Sequence, residues 1–243
     1  MTVRVGVLRL DGVSAEEAVS ALLPQVSPRR KERVQCFARA EDRLRSLAAE
    51  VLLGQMLREE GLAGAEHFPL VFEAGERGKP YLAQLPEVQF NLSHSGDLAA
   101  CAVGRLPVGV DVQRFAGIRE GVARRCFTAE EAAQWERLPE SEKEKAFCQL
   151  WALKESFLKA TGQGMRIPMR RVQFSGSGEL TVRQDWDDWN YLARVWETGM
   201  PYALAVCSGE PAEPALSWYC LQADGTITPV RPAGSPGPAD ISR

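Results

Sequence analysis

Two short stretches of this sequence carry side chains that together could handle a phosphate. In GVDVQ (109–113) the valines at 108, 110 and 112 alternate with the period of a strand that buries one face. Asp111 and Gln113 then share the opposite face, about 7 Å apart along the strand. In WALKESFLK (151–159) the pattern is helical, and Glu155 and Lys159 stand one turn apart. One carboxylate from a strand, one from a helix and a nearby ammonium could hold a hard cation against a phosphate. Singly, each signal is weak. A strand-end aspartate is more often a cap or turn residue, an i, i+4 Glu–Lys pair is usually a surface ion pair of about 0.2–0.5 kcal/mol, and a lone His94 is more often a structural hydrogen-bonder.

The elements that must position these residues follow from periodicity. Residues 3–10 alternate as a strand. Ser14, with Glu17 three residues on, has the pattern of a capped helix start. Ser27-Pro28 opens a second helix carrying Arg29, Arg30, Lys31 and Arg33. For that charge run a solvated face is the commoner outcome and an anion-binding face the sharper one. Residues 40–60 form the clearest amphipathic helix, with Leu44, Leu47, Ala48, Val51, Leu52 and Leu57 at helical spacing and Arg43 and Arg45 near its start. A short strand is expected at 70–72, a tight turn bearing Lys79 at 76–81, and a strand end at 90–94. Residues 98–103 are apolar, and the 104–107 turn predicts an antiparallel hairpin over 98–113. The second half restarts with a helix over 118–126, a capping box at Thr128 and Glu131, and a long helix over 142–160 with Glu155 beside its apolar stripe. Strands follow at 172–174, 179–182, 191–196 and 202–207, and a short one is expected at 216–221.

The order helices, strands, helices, strands is an α+β pattern with two similar halves. The division reads as 1–116, 117–222 and a flexible tail over 223–243, since six of the fifteen prolines fall in the last 36 residues. At 243 residues with 45% apolar and 25% charged residues, the chain can bury a sizeable core. A net charge of −3 argues against sequence-blind nucleic-acid binding. No secretory pattern opens the chain and no apolar run reaches membrane-spanning length, so a cytoplasmic protein without membrane contact is expected. Six scattered cysteines with no CxxC pair fit reduced thiols, and two histidines make a zinc site a poor expectation.

Taken in order, NLSHSG (91–96), VGVDV (108–112) and WALKESFLK (151–159) resemble the signature of the Sfp-type 4′-phosphopantetheinyl transferases. The resemblance extends upstream to SPRRKER (27–33), EDRLRS (41–46) and RGKP (77–80), and covers roughly residues 1–207. It implies a pseudo-dimer of two α+β halves, monomeric as a chain, with the active site between them. It also implies transfer of the phosphopantetheine arm of coenzyme A to a serine of apo acyl or peptidyl carrier proteins, releasing adenosine 3′,5′-bisphosphate.

Carried over by position, Asp111 and Glu155 are implied ligands of Mg²⁺, or of Mn²⁺ in its place, on the coenzyme diphosphate. Glu155 would take the serine proton, and Lys159 would stabilise charge on the leaving phosphate. Arg30, Arg33, Arg45, Lys79, Ser93, His94 and Lys159 would hold the coenzyme phosphates and adenine end. One position departs from the family's Asp-x-Glu: here it is Asp111-Val-Gln113, so the metal site has one charge fewer and Gln113 ligates weakly or holds a metal-bound water. For the carrier, Arg119, Arg124, Arg125 and Phe127 are candidates, with 164–166 as a mobile neighbour. Two rival readings remain: a non-catalytic coenzyme A or carrier-binding module of the same fold, and an unrelated Mg²⁺-dependent nucleotide enzyme.

Overall fold

Strand β5 (Leu98–Gly104) is buried at every residue, the mark of a strand with neighbours on both edges and layers on both faces. The structure, a computed structural model, describes residues 2–75, 77–117, 120–213 and 216–231. Before β5 come β1 (Arg4–Arg9), α1 (Ala15–Leu22), α2 (Pro28–Gln35), α3 (Ala40–Glu59), β2 (Phe72–Ala74), β3 (Pro80–Leu82) and β4 (Gln89–Ser95). After it come β6 (Val108–Arg114), α4 (Glu120–Cys126), α5 (Ala129–Arg137), α6 (Glu140–Thr161) and β7 (Gln173–Ser175). The last strands are β8 (Glu179–Arg183), β9 (Leu192–Glu197), β10 (Tyr202–Ser208), β11 (Ser217–Leu221) and β12 (Ile227–Val230).

Two five-stranded sheets form among the described residues, ordered β12-β11-β1-β5-β4 and β6-β10-β9-β8-β7, and β2 pairs with β3 in a separate two-stranded sheet. The two large sheets pack face to face through Val5, Val7, Ala100, Ala102 and Trp218 of the first and Val108, Val110, Val112, Leu204 and Val206 of the second. The outer face of the first sheet carries Leu8, Ala99, Cys101 and Val103 against α1 and α3. The outer face of the second carries Ala193, Val195, Ala203, Ala205 and Cys207 against α6. The result is four layers, helix–sheet–sheet–helix, an α+β architecture. The first half supplies β1, β4 and β5 with α1–α3, the second half supplies the other sheet with α6, and β11 and β12 return to complete the first sheet.

Several expectations are corrected. The hairpin over 98–113 does not form: β5 already has β1 and β4 on its two edges, so the chain crosses at 104–107 into the other sheet, where β6 pairs with β10. The halves therefore change sheets before β6, not at 116. The segment from 223 does not begin as a tail, since β12 pairs with β11 in register Trp218↔Val230 to Leu221↔Ile227. β11 runs parallel to β1 and returns the chain's end to the first sheet; Trp218, Tyr219 and Leu221 are buried there, which offsets the ordering cost that the proline content suggested would prevail. The expected tail beyond 231 lies outside the described residues.

α3 is less one-sided than an amphipathic helix. Ser46, Ala49, Glu50 and Leu53 are buried along with the predicted stripe, because α1, α2 and the first sheet enclose it. The Ser14 side chain makes no cap bond, whereas Thr128 and Glu131 form the predicted box. Gly162 at φ +66° ends α6 in the left-handed conformation that only glycine adopts freely. All six cysteines are free thiols. Among the described residues no helix is long and apolar enough to cross a membrane.

Candidate active site

β6 has a backbone ladder on one edge only. On the other edge β4 approaches, and side chains take the place of strand pairing. Asn91 Oδ1 accepts from the Val110 N–H (2.9 Å), Ser93 Oγ from the Val112 N–H (3.2 Å) and Ser95 Oγ from the Arg114 N–H (3.0 Å). The sequence offset stays at 19 residues, so the strands run parallel, and side chains reach where backbone cannot. The alternation Asn91, Ser93, Ser95 in NLSHS is the signal that sequence reading could have used to find this seam.

With the valines of β6 facing the inter-sheet core, Gly109, Asp111 and Gln113 face α6, as the alternation predicts. At Gly109 the strand nearly touches the helix: a Cβ there would lie 2.1 Å from Ser156 O and 2.4 Å from Ala160 N. This close approach brings Asp111 to the last turns of α6. Lys159 Nζ donates to Asp111 Oδ1 (2.6 Å), Ser93 Oγ (3.0 Å) and Val110 O (3.1 Å). Ser93 Oγ also donates to Asp111 Oδ1 at 2.9 Å. A single cleft of about 400 Å³ is lined by Ser93, His94, Asp111, Gln113, Glu155 and Lys159, with Trp151 at its side. The two carboxylates predicted to converge do so.

Electrostatics distinguish the cleft. Asp111 is only 7% exposed; burial pushes its carboxyl up, while Lys159 and Ser93 pull it back. Burial also raises the Glu155 carboxyl, reinforced by the Asp111 charge and opposed by Lys159. Asp111 Oδ2 is buried without a hydrogen-bond partner among the described residues. An orphaned carboxylate oxygen facing a cleft shared with Glu155 and the Gln113 amide is an oxygen donor set that suits Mg²⁺, a cation that keeps several waters. Among the described residues no cluster of three or more His, Cys, Asp and Glu side chains gathers. Gln113 Nε2 donates to Arg114 O, which leaves its carbonyl oxygen for the cleft.

The cationic residues divide. His94 at the cleft mouth is held below its ordinary value by loss of water around the ring and then by the charges of Arg45, Lys159 and Arg30, so it lies in the positive field of those three. Arg30 is braced by Glu50 (2.8 Å) and Ser46 (3.0 Å), and Arg45 by Asp42 and Gly96 O. Arg33 is exposed one turn further along α2. Lys79 is placed differently: its Nζ donates to Val108 O (2.8 Å) and Ala160 O (3.0 Å).

Sequence reasoning missed Lys154. It points away from Glu155, fully buried, and donates to Met169 O (3.0 Å), Val172 O (2.8 Å) and Glu131 Oε2 (2.8 Å). Of the carrier-contact candidates, Arg124 and Arg125 are exposed on α4 and Met165 is 75% exposed beside the cleft. Phe127 is corrected: it is buried against Trp135 and Phe147 and offers no surface. Arg119 lies outside the described residues.

Comparison with known proteins gives a consistent result. Residues 107–207 match the family described as the 4′-phosphopantetheinyl transferase superfamily, and residues 14–105 match 4′-phosphopantetheinyl transferase, N-terminal. The two matches meet at the turn where the chain changes sheets. The 4′-phosphopantetheinyl transferase psf-1 of Bacillus pumilus is 32% identical over 84% of this chain and 87% of its own. The 4′-phosphopantetheinyl transferase Sfp of Bacillus subtilis (strain 168) is 27% identical over 84% and 92%. The L-aminoadipate-semialdehyde dehydrogenase-phosphopantetheinyl transferase of Homo sapiens is 31% identical over 61% of this chain and 52% of its own.

Proposed function

The chain belongs to the 4′-phosphopantetheinyl transferase superfamily, an enzyme family that moves phosphopantetheine from coenzyme A to carrier proteins, and on that premise we propose how its own residues perform the transfer. The observation that carries the reading is the meeting of Asp111 and Glu155, distant in sequence, in one cleft with Lys159 bonded to Asp111.

Asp111, Glu155 and the Gln113 carbonyl would hold Mg²⁺ there. When bound, the cation neutralises charge on the coenzyme diphosphate. Arg30, Arg33, Arg45 and His94 bind the phosphate at the nucleoside end, where clustered arginines offer paired donors. Ser93 donates to a diphosphate oxygen. The carrier serine Oγ forms a bond to the phosphorus that bears the pantetheine arm. The bond from that phosphorus to the bridging oxygen breaks, and adenosine 3′,5′-bisphosphate leaves with the electron pair. Glu155 takes the serine proton, a task suited to a carboxylate whose pKa burial has raised. Lys159, already poised at the cleft, exchanges its Asp111 contact for the departing phosphate. The carrier docks across Arg124, Arg125 and Met165, which supply a cationic and apolar rim to an acidic partner. The chain works as a monomer in a reducing compartment such as the cytoplasm, its two halves doing what two subunits would.

Incubation of a panel of apo acyl and peptidyl carrier proteins with coenzyme A and Mg²⁺ should add one phosphopantetheine to at least one of them by mass spectrometry. No mass gain on any carrier would overturn the proposal.

A further inference from the structure

Lys79 sits at a place where three parts of the molecule meet. It comes from the first half, in the turn before β3. Its ammonium reaches Val108 O at the start of β6 and Ala160 O in the last turn of α6. Both acceptors need a donor. Val108 O is on the edge of β6 that has no paired strand, and Ala160 O is among the four final carbonyls a helix leaves without an internal donor. A cation at a helix C-terminus is also favoured by the helix dipole.

The two bonded carbonyls belong to the elements that carry the site. Val108 is three residues before Asp111 in the same strand. Ala160 follows Lys159 and lies five residues after Glu155 in the same helix. Between the two bonds the strand and helix are as close as backbone allows, since even one carbon added at Gly109 would overlap Ser156 O and Ala160 N. The spacing of Asp111 from Glu155 and Lys159 is therefore the spacing of β6 from α6. Glycine permits that spacing but cannot hold it. Lys79 can.

Resting on the transferase reading above, we infer that Lys79 is a positioning residue that pins α6 to β6 through Val108 O and Ala160 O and so sets the gap between the metal-binding carboxylates, rather than a ligand of the coenzyme phosphates. Burial holds its pKa down at about 8, as fits an amine satisfied by carbonyl dipoles with no carboxylate bonded to it among the described residues. A Cβ added at Gly162 would lie 3.4 Å from the Lys79 Cβ, so that glycine borders the Lys79 stem.

The test is Lys79→Met, which keeps the stem and removes the donors. Displacement of the catalytic groups by a fraction of an ångström to 1 Å should lower kcat by about ten- to a hundredfold. The KM for coenzyme A should stay within about threefold, because no ground-state contact is lost. Two readouts do not depend on turnover. Binding of Mn²⁺ alone, followed by electron paramagnetic resonance, should weaken, and amide exchange over 108–112 and 158–162 should quicken. If Lys79→Met fails to fold, Lys79→Arg keeps the charge: as a phosphate ligand arginine would preserve kcat and KM, whereas in a slot cut for one ammonium it lowers kcat. A coenzyme KM raised about tenfold or more at unchanged kcat would overturn the inference in favour of phosphate binding, and so would unchanged Mn²⁺ affinity and exchange. Should the wild type modify no carrier, the transferase reading fails, but the Mn²⁺ and exchange results still decide what Lys79 does.

Discussion

The two edges of β6 are built from different materials. Toward β10 seven residues pair through backbone, from Val108↔Ser208 to Arg114↔Tyr202. Toward β4 the N–H groups of Val110, Val112 and Arg114 bond to Asn91, Ser93 and Ser95, and the carbonyls of Val108 and Val110 bond to Lys79 and Lys159. A backbone ladder tolerates most side chains, because every residue supplies the same groups. A side-chain ladder depends on each residue in it. It also leaves space and unsatisfied polar atoms, such as Asp111 Oδ2, that a ligand can use. The chemistry lies on the second edge for that reason.

The comparison breaks most sharply at Glu155, which stands on α6 in the cleft beside the side-chain edge. Glu155→Gln should lower kcat by about 10²–10⁴-fold and leave thermal stability nearly unchanged; activity of the variant within tenfold of wild type would remove Glu155 from the mechanism. On the backbone edge the effects invert. Leu204→Ala, in the inter-sheet core and 0% exposed, should cost about 2–5 kcal/mol in urea unfolding. Its kcat per folded molecule should be retained, and a matching collapse of kcat would show the two edges to be coupled. Asn91→Ala falls between them. It strands the Val110 N–H and should cost about 1–3 kcal/mol, with kcat lowered as well because β6 carries Asp111.

The smallest effects are titrations, and they sharpen the contrast, since the perturbed carboxyls line the cleft beside the side-chain edge. Asp111 and Glu155 are both raised, burial being the first cause. Folded protein thus takes up protons at a higher pH than the unfolded chain. Metal needs the anions, so Mn²⁺ affinity should fall on acidification while the pH is still above the ordinary carboxylate range. Metal-free stability moves the other way: this contribution is full below the unfolded carboxylate pKa and is lost as pH rises through the raised values. Calorimetric titrations across pH, with and without metal, read both trends, and parallel trends would contradict the assignment. His94, held low by desolvation and then by Arg45, Lys159 and Arg30, should gain a proton fraction when coenzyme A brings phosphate beside it. Calorimetry in buffers of different ionisation enthalpy measures that uptake, and His94→Ala should abolish it.

Much of this was legible before folding was considered. The valine alternation placed Asp111 and Gln113 together on one face, the 151–159 pattern placed Glu155 and Lys159 on one helix beside its buried stripe, and the ordered motifs identified the family. These are local facts, carried by side-chain periods of two and 3.6 residues. Partnership was not local. Apolar 98–103 reads equally well as one arm of a hairpin with 108–113 or as the centre of a separate sheet, and competition from β1 and β4 settled it. The Pro-rich end gave no hint that β11 would return to pair with β1. Lysines at 79, 154 and 159 look alike as letters, yet one bridges two carbonyls, one is sealed against Glu131, and one lies on Asp111. What each ammonium does depends on which acceptors the packed elements leave without donors, and that is decided only when strands and helices from both ends of the chain come together.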